Sequence, residues 1–111
     1  MDKTIDYTVN LDSEKEATIS GKFRLSSPNS YETVFSEIKI AMEKGPKDFV
    51  LDLRNLTFLN SAGITSLARL IITGREHNVP ITIKGSDLIA WQLKTLDSLR
   101  RLWSKVTISF D

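Results

Sequence analysis

Apolar residues fall at every second position at Ile5, Tyr7, Val9 and Leu11, and again at Ala17, Ile19, Phe23 and Leu25. A period of two predicts two half-buried strands, and the short polar stretch from Asp12 to Glu16 suits a hairpin between them. Gly21 stands inside the second strand, the position of a bulge or of a close approach of backbone. The period then changes. Tyr31, Val34, Phe35, Ile38 and Met42 recur at helical spacing, so one helix is expected from the Ser27-Pro28 start to the Gly45-Pro46 stop. Ile40 lies on the opposite side of that helix, exposed, and offers a contact feature.

Phe49-Val50-Leu51-Asp52-Leu53 is nearly continuous in apolar character, the pattern of a central strand buried on both faces. Residues 54–59 read as a loop. Asn60-Ser61-Ala62-Gly63 follows, with Ile64, Leu67, Ala68 and Ile71 at helical spacing behind it. These predict a second helix, capped by Asn60 or Ser61 and running to about His77, with Leu70 and Ile72 widening its apolar face. Val79, Ile81 and Ile83 make the next strand. Ser86-Asp87 is placed to cap a third helix carrying Leu88, Trp91, Gln92, Thr95, Leu96 and Leu99, with a break near Asp97-Ser98. Val106, Ile108 and Phe110 alternate as a last strand. The order β-β-α-β-α-β-α-β predicts an α/β fold: one domain over residues 1–111, its mixed sheet of four or five strands joined by right-handed helical crossovers.

Composition narrows the chemistry. The 111 residues contain no cysteine and one histidine, His77, which removes disulfides, thiolate catalysis and Cys- or His-rich metal sites. Fifteen Lys and Arg against fourteen Asp and Glu leave a formal charge of +1, so no strong pull toward nucleic acid is expected. The longest apolar run, Leu88 to Trp91, is far short of a membrane span, and no apolar segment follows Met1 to suggest a signal peptide. A cytoplasmic domain with no metal and no cofactor is the expectation. Trp91 and Trp103 are expected in or beside the core, and Asp52 is expected to hydrogen-bond the loop after its strand.

In open α/β sheets the working edge lies beyond the carboxyl ends of the strands, where Asp52 to Asn60 and the start of the second helix belong. Ser61 there sets a hydroxyl beside a helix start that tolerates a phosphate, because four backbone N–H groups lack intrahelical partners. The same Asn60-Ser61 pair also reads as nothing more than a cap.

The stretch Val50-Leu51-Asp52-Leu53 … Leu56-Thr57-Phe58-Leu59-Asn60-Ser61-Ala62-Gly63-Ile64 resembles the signature of STAS domains, the anti-sigma-factor-antagonist family. Gly21-Lys22-Phe23-Arg24 is similar to that family's Gly-x-Leu-Asp segment. The resemblance implies a non-catalytic bacterial module for partner switching in transcription regulation. A serine-kinase anti-sigma factor, or a related ATP-binding kinase, would bind it and phosphorylate Ser61, and a serine phosphatase would reset it. The implied contact surface is Arg24, Asn60, Ser61, Ala62, Gly63, Ile64 and Thr65. Two positions depart from the family pattern: Asn60 stands where Asp precedes the phosphorylatable serine, and Arg24 replaces an Asp. Arg24 would pair with a phosphate on Ser61 if the two lie close.

Two other functions compete. One is a constitutive STAS-like interaction module in which Ser61 only caps, with Ile40 and the second helix as contact features and a homodimer as one assembly. The other is a small-ligand binder or hydrolase. A nucleophilic Ser61 needs a base within reach, and His77 is expected at the far end of the same helix.

Overall fold

The computed structural model describes residues 6–111; Ile5 and the Met1 to Thr4 start lie outside the described residues. The chain is an α/β fold with four helices and a mixed sheet of six strands. Strands β1 (Tyr7–Ser13) and β2 (Glu16–Phe23) form the expected antiparallel hairpin. Then come α1 (Pro28–Val34), α2 (Ser36–Glu43), β3 (Phe49–Asp52), β4 (Leu56–Leu59), α3 (Ser61–Glu76), β5 (Ile81–Gly85), α4 (Ala90–Arg100) and β6 (Val106–Phe110). The sheet order is β1-β2-β3-β5-β6, with every pairing after the hairpin parallel.

The sixth strand corrects the expected loop at residues 54–59. Strand β3 pairs only with the first part of β2, at Glu16 to Thr18, and leaves the rest of β2 open on that side. Strand β4 fills the gap by pairing parallel with Gly21 to Phe23. Its four residues are too few to show a period. Gly21 is both things the sequence allowed. The β2–β4 register shifts between Gly21 and Lys22, φ at Gly21 is +95°, and a Cβ there would run into the Asp6 carbonyl oxygen and Tyr7 Cα.

The expected first helix is two helices, broken at Phe35 (φ −96°, ψ 4°). Tyr31 before the break, Phe35 at it, and Ile38 and Met42 after it are all buried in one core. Helix α4 begins at Ala90 rather than under a Ser86-Asp87 cap. Ser86 Oγ instead accepts from Leu88 N at 3.2 Å, a local turn that projects Leu88 into solvent at 90% exposure. The break expected at Asp97-Ser98 is absent, because Asp97 pairs with Arg100 and Arg101 along the same helix. Val79 is buried but precedes β5, behind a turn in which Asn78 takes φ +56°.

Helix α3 touches α1, α2 and α4, so the helices make one layer over one face of the sheet. Ala17, Ile19, Phe49, Leu51, Ile81, Ile83 and Val106 point into that layer. On the opposite face Thr18, Ser20, Val50, Asp52, Thr82 and Lys84 are half-buried. The central strand is therefore fully covered on one face only, which corrects the expectation drawn from its apolar run. Ile72 likewise points outward at 43% exposure, so α3 buries a narrower face than expected. Among the described residues no helix is long and apolar enough to cross a membrane.

Candidate functional site

The start of α3 is held by one amide. Asn60, in extended backbone, is the N-cap: its Oδ1 accepts from Gly63 N at 3.1 Å, which settles the choice between Asn60 and Ser61. The same oxygen accepts from the Tyr31 hydroxyl at 2.6 Å, and Nδ2 donates to Leu25 O at 2.8 Å. Tyr31 Oη in turn accepts from Leu25 N at 3.3 Å. The end of β2, helix α1 and the start of α3 thus meet in one closed network. Burial pushes the Tyr31 phenol up from its ordinary pKa, against the opposing effect of the Leu25 N–H. The hydroxyl therefore stays a donor through the neutral range. Tyr31 and Leu25 appear in the sequence only as apolar positions, and the tyrosine's polar end was the one available signal.

Gly63 is required by packing. A Cβ there would collide with the Leu59 side chain and lie 2.8 Å from Tyr31 Cζ. One turn further on, Ser66 is buried and its hydroxyl donates to Pro28 O at 3.3 Å, a second tie between α1 and α3. Arg69 and Glu32 add an exposed ion pair across the same seam at 2.7 Å.

Ser61, the first residue of α3, is exposed, and among the described residues its hydroxyl has no hydrogen-bond partner. The first turn of α3 carries no acidic side chain, so the positive end of the helix is uncompensated by its own residues. Thr65 is exposed on the next turn and donates to Ser61 O at 3.2 Å, while Ala62 and Ile64 are half-buried beside it. Arg24 is exposed, its guanidinium carbon 5.3 Å from the centre of the Phe58 ring. Lys22 pairs with Phe58 and Phe23 with Leu59, so the register sets Arg24 level with Asn60. The Leu25–Asn60 hydrogen bond ties the chain just after Arg24 to the residue just before Ser61. Phe58, 39% exposed, lies under the Arg24 guanidinium although the sequence placed it in a loop.

His77 ends α3, with Nδ1 3.0 Å from Thr73 O. The 16 residues of the helix separate it from Ser61 by about 24 Å. It cannot act as a base for that hydroxyl. A cavity of about 200 Å³ lies between the α1–α2 segment and α3, lined by residues including Glu32, Lys39 and Arg69. Another of about 420 Å³ lies under the hairpin, beside Leu11 and Ala41. Neither is lined by Ser61 or Arg24.

Behind the site, Asp52 bonds the following loop as expected: Oδ1 accepts from Arg54 N at 3.1 Å and Oδ2 pairs with the guanidinium at 2.8 Å. These bonds hold its carboxyl below the usual carboxylate range. Trp91 and Trp103 lie half-buried against the core. Compared with known proteins, the chain matches no family model and no curated sequence.

Proposed function

We propose that this chain is a regulatory protein-binding module of the STAS type, resembling anti-sigma-factor antagonists, whose partner contact is controlled by phosphorylation of Ser61. The carrying observation is an exposed, unpartnered hydroxyl at the first position of a 16-residue helix that Asn60 already caps. Because the cap does not depend on Ser61, modifying the hydroxyl leaves the fold intact and alters only the surface. Its half-buried and exposed neighbours Ala62, Ile64 and Thr65, with Arg24 on Phe58, give a partner a mixed apolar and polar face. A phosphate adds close to two negative charges there, beside a helix dipole that stabilises them by about 0.3–1 kcal/mol. Buried under a partner, the same dianion costs several kcal/mol unless it is paired. The partners in this reading are an ATP-binding serine kinase of the anti-sigma-factor kind and a serine phosphatase, in the bacterial cytoplasm.

The test is incubation with ATP and a serine kinase of the anti-sigma-factor kind, read by intact mass, together with pull-downs of wild type, Ser61→Ala and Ser61→Asp. One added phosphate, lost in Ser61→Ala, and loss of the partner in Ser61→Asp are expected. Ser61→Asp should also unfold at slightly higher temperature, by the dipole contribution of about 0.3–1 kcal/mol. Equal binding by all three proteins would overturn the switch and leave the constitutive module.

A further inference from the structure

Strand β6 is an edge of the sheet, and among the described residues no strand pairs with its outer side. It contains no proline, its register with β5 is unbroken from Val106 to Phe110, and Thr107, Ser109 and Phe110 are exposed. Edges of this kind are usually blunted by bulges, prolines or inward charges. The backbone hydrogen bonds show which groups remain free. Ile81 N donates to Lys105 O, and Asp111 N donates to Gly85 O. Alternate residues of a parallel strand face the same neighbour, so 105, 107, 109 and 111 face β5, and Val106, Ile108 and Phe110 turn their N–H and C=O groups outward. Of these groups, Val106 N–H is used by Trp103 O.

The side chains along this edge are self-complementary. In an antiparallel pair of two β6 strands with Ile108 opposite Ile108, Val106 faces Phe110, Thr107 faces Ser109 and Lys105 faces Asp111. The centre falls on an outward-facing residue, so the two Ile108 exchange both of their hydrogen bonds. Each Val106 C=O also accepts from the other copy's Phe110 N–H, giving four bonds between the chains. The apolar pairs lie on the helix-covered face, where Phe110 is 39% exposed in the single chain. The charged pairs lie on the open face, one at each end, where within the chain Asp111 also pairs with Arg54 and Lys105 also donates to Asn78 Oδ1.

The other edge does not share this property. In β1, Asp6 C=O accepts from Lys22 N, so Tyr7, Val9 and Leu11 turn their backbone groups outward. The equivalent pairing about Val9 sets Asp6 against Asp12 at both ends. Its register with β2 is also irregular between Leu11 and Ser13. Pairing β1 with β6 matches one charged pair and opposes the other in either direction.

We propose that β6 is the interface for a second copy of this chain, joined antiparallel about Ile108 into one continuous twelve-stranded sheet. The symmetry axis stands perpendicular to the sheet, so both helical layers lie on one face. The two Ser61 surfaces point to opposite edges, and each is free for its own partner.

Sedimentation equilibrium of the whole chain tests this. Wild type should show twice the 12.5 kDa chain mass with rising concentration. Lys105→Asp and Asp111→Lys each put like charges at both ends and should weaken self-association about tenfold. Mixing the two variants should restore dimers, because each then supplies the opposite charge to the other. Phe110→Pro removes an outward N–H without touching the β5 ladder and should also give monomer, its circular dichroism unchanged. A wild type that stays monomeric up to millimolar concentration would overturn the proposal. So would charge variants that dimerise as well as wild type, or a mixture that fails to recover dimers.

Discussion

Asn60 makes three hydrogen bonds with one amide, and the three together require both an acceptor and a donor. An aspartate, the residue the resemblance leads one to expect, would keep the bonds from Tyr31 and Gly63 and lose the donor to Leu25 O. The helix dipole would favour the new carboxylate by about 0.3–1 kcal/mol, while an unpaired, partly buried carbonyl facing a carboxylate costs about 1–3 kcal/mol. The loss is the larger, so Asn60→Asp should lower stability by about 1 kcal/mol in urea unfolding at neutral pH. A variant as stable as wild type would show that the Leu25 contact contributes little. Tyr31→Phe removes the other arm of the network and should cost about 1 kcal/mol by the same measurement. Asn60 was legible from the sequence as a cap candidate, since capping is local in the chain. Its bonds to Tyr31 and Leu25, 29 and 35 residues away, were not, because only the tertiary fold brings them together.

At the scale of elements, the legible parts are those with enough residues to display a period. The hairpin, α3 and the last strand follow their apolar spacing, and the α/β alternation follows with them. Strand β4 was missed because four residues with two exposed in the middle imitate a loop, and its partner is the last three residues of β2, far away in the chain. The start of α4 was misplaced because Ser86 is a plausible cap by type, yet its hydroxyl serves a turn one residue short of Ile89. What positions α4 is a residue that the apolar pattern treats as an anomaly. Gln92 is fully buried; its Nε2 donates to Leu53 O and Leu56 O, and its Oε1 accepts from Ser86 N. It therefore ties α4 to the ends of β3, β4 and β5 at once. Gln92→Leu matches the volume roughly and leaves Ser86 N without its partner, while Leu53 O keeps the Leu56 N–H and Leu56 O keeps Trp91 Nε1. A loss of about 1–2 kcal/mol is expected, because an unmade bond at a buried donor costs more than the added apolar burial returns. Equal denaturation midpoints for the two proteins would contradict it.

Across the whole molecule, the loop after β3 and the end of β6 are joined by Arg54, which pairs with Asp52 at 2.8 Å and with Asp111 at 2.8 Å. This contact spans 57 residues and closes the carboxyl edge of the sheet. Its dependence on pH has a definite sign. The Arg54 side chain and backbone N–H, with Lys84 nearby, hold Asp52 below the usual carboxylate range in the folded chain. Its stabilisation is then fully present above the unfolded carboxylate value of about 3.9 and is lost as pH falls through the lower folded value. Asp52 is mostly covered, at 13% side-chain exposure, but Arg54 is 43% exposed, so solvent screening limits the pair to about 1 kcal/mol. Asp52→Asn should be less stable than wild type by that amount at pH 7, and the difference should shrink toward zero below about pH 3. Urea unfolding of both proteins at the two pH values measures it. A gap that persists in acid would mean that Asp52 contributes through its loop hydrogen bond to Arg54 N rather than through its charge.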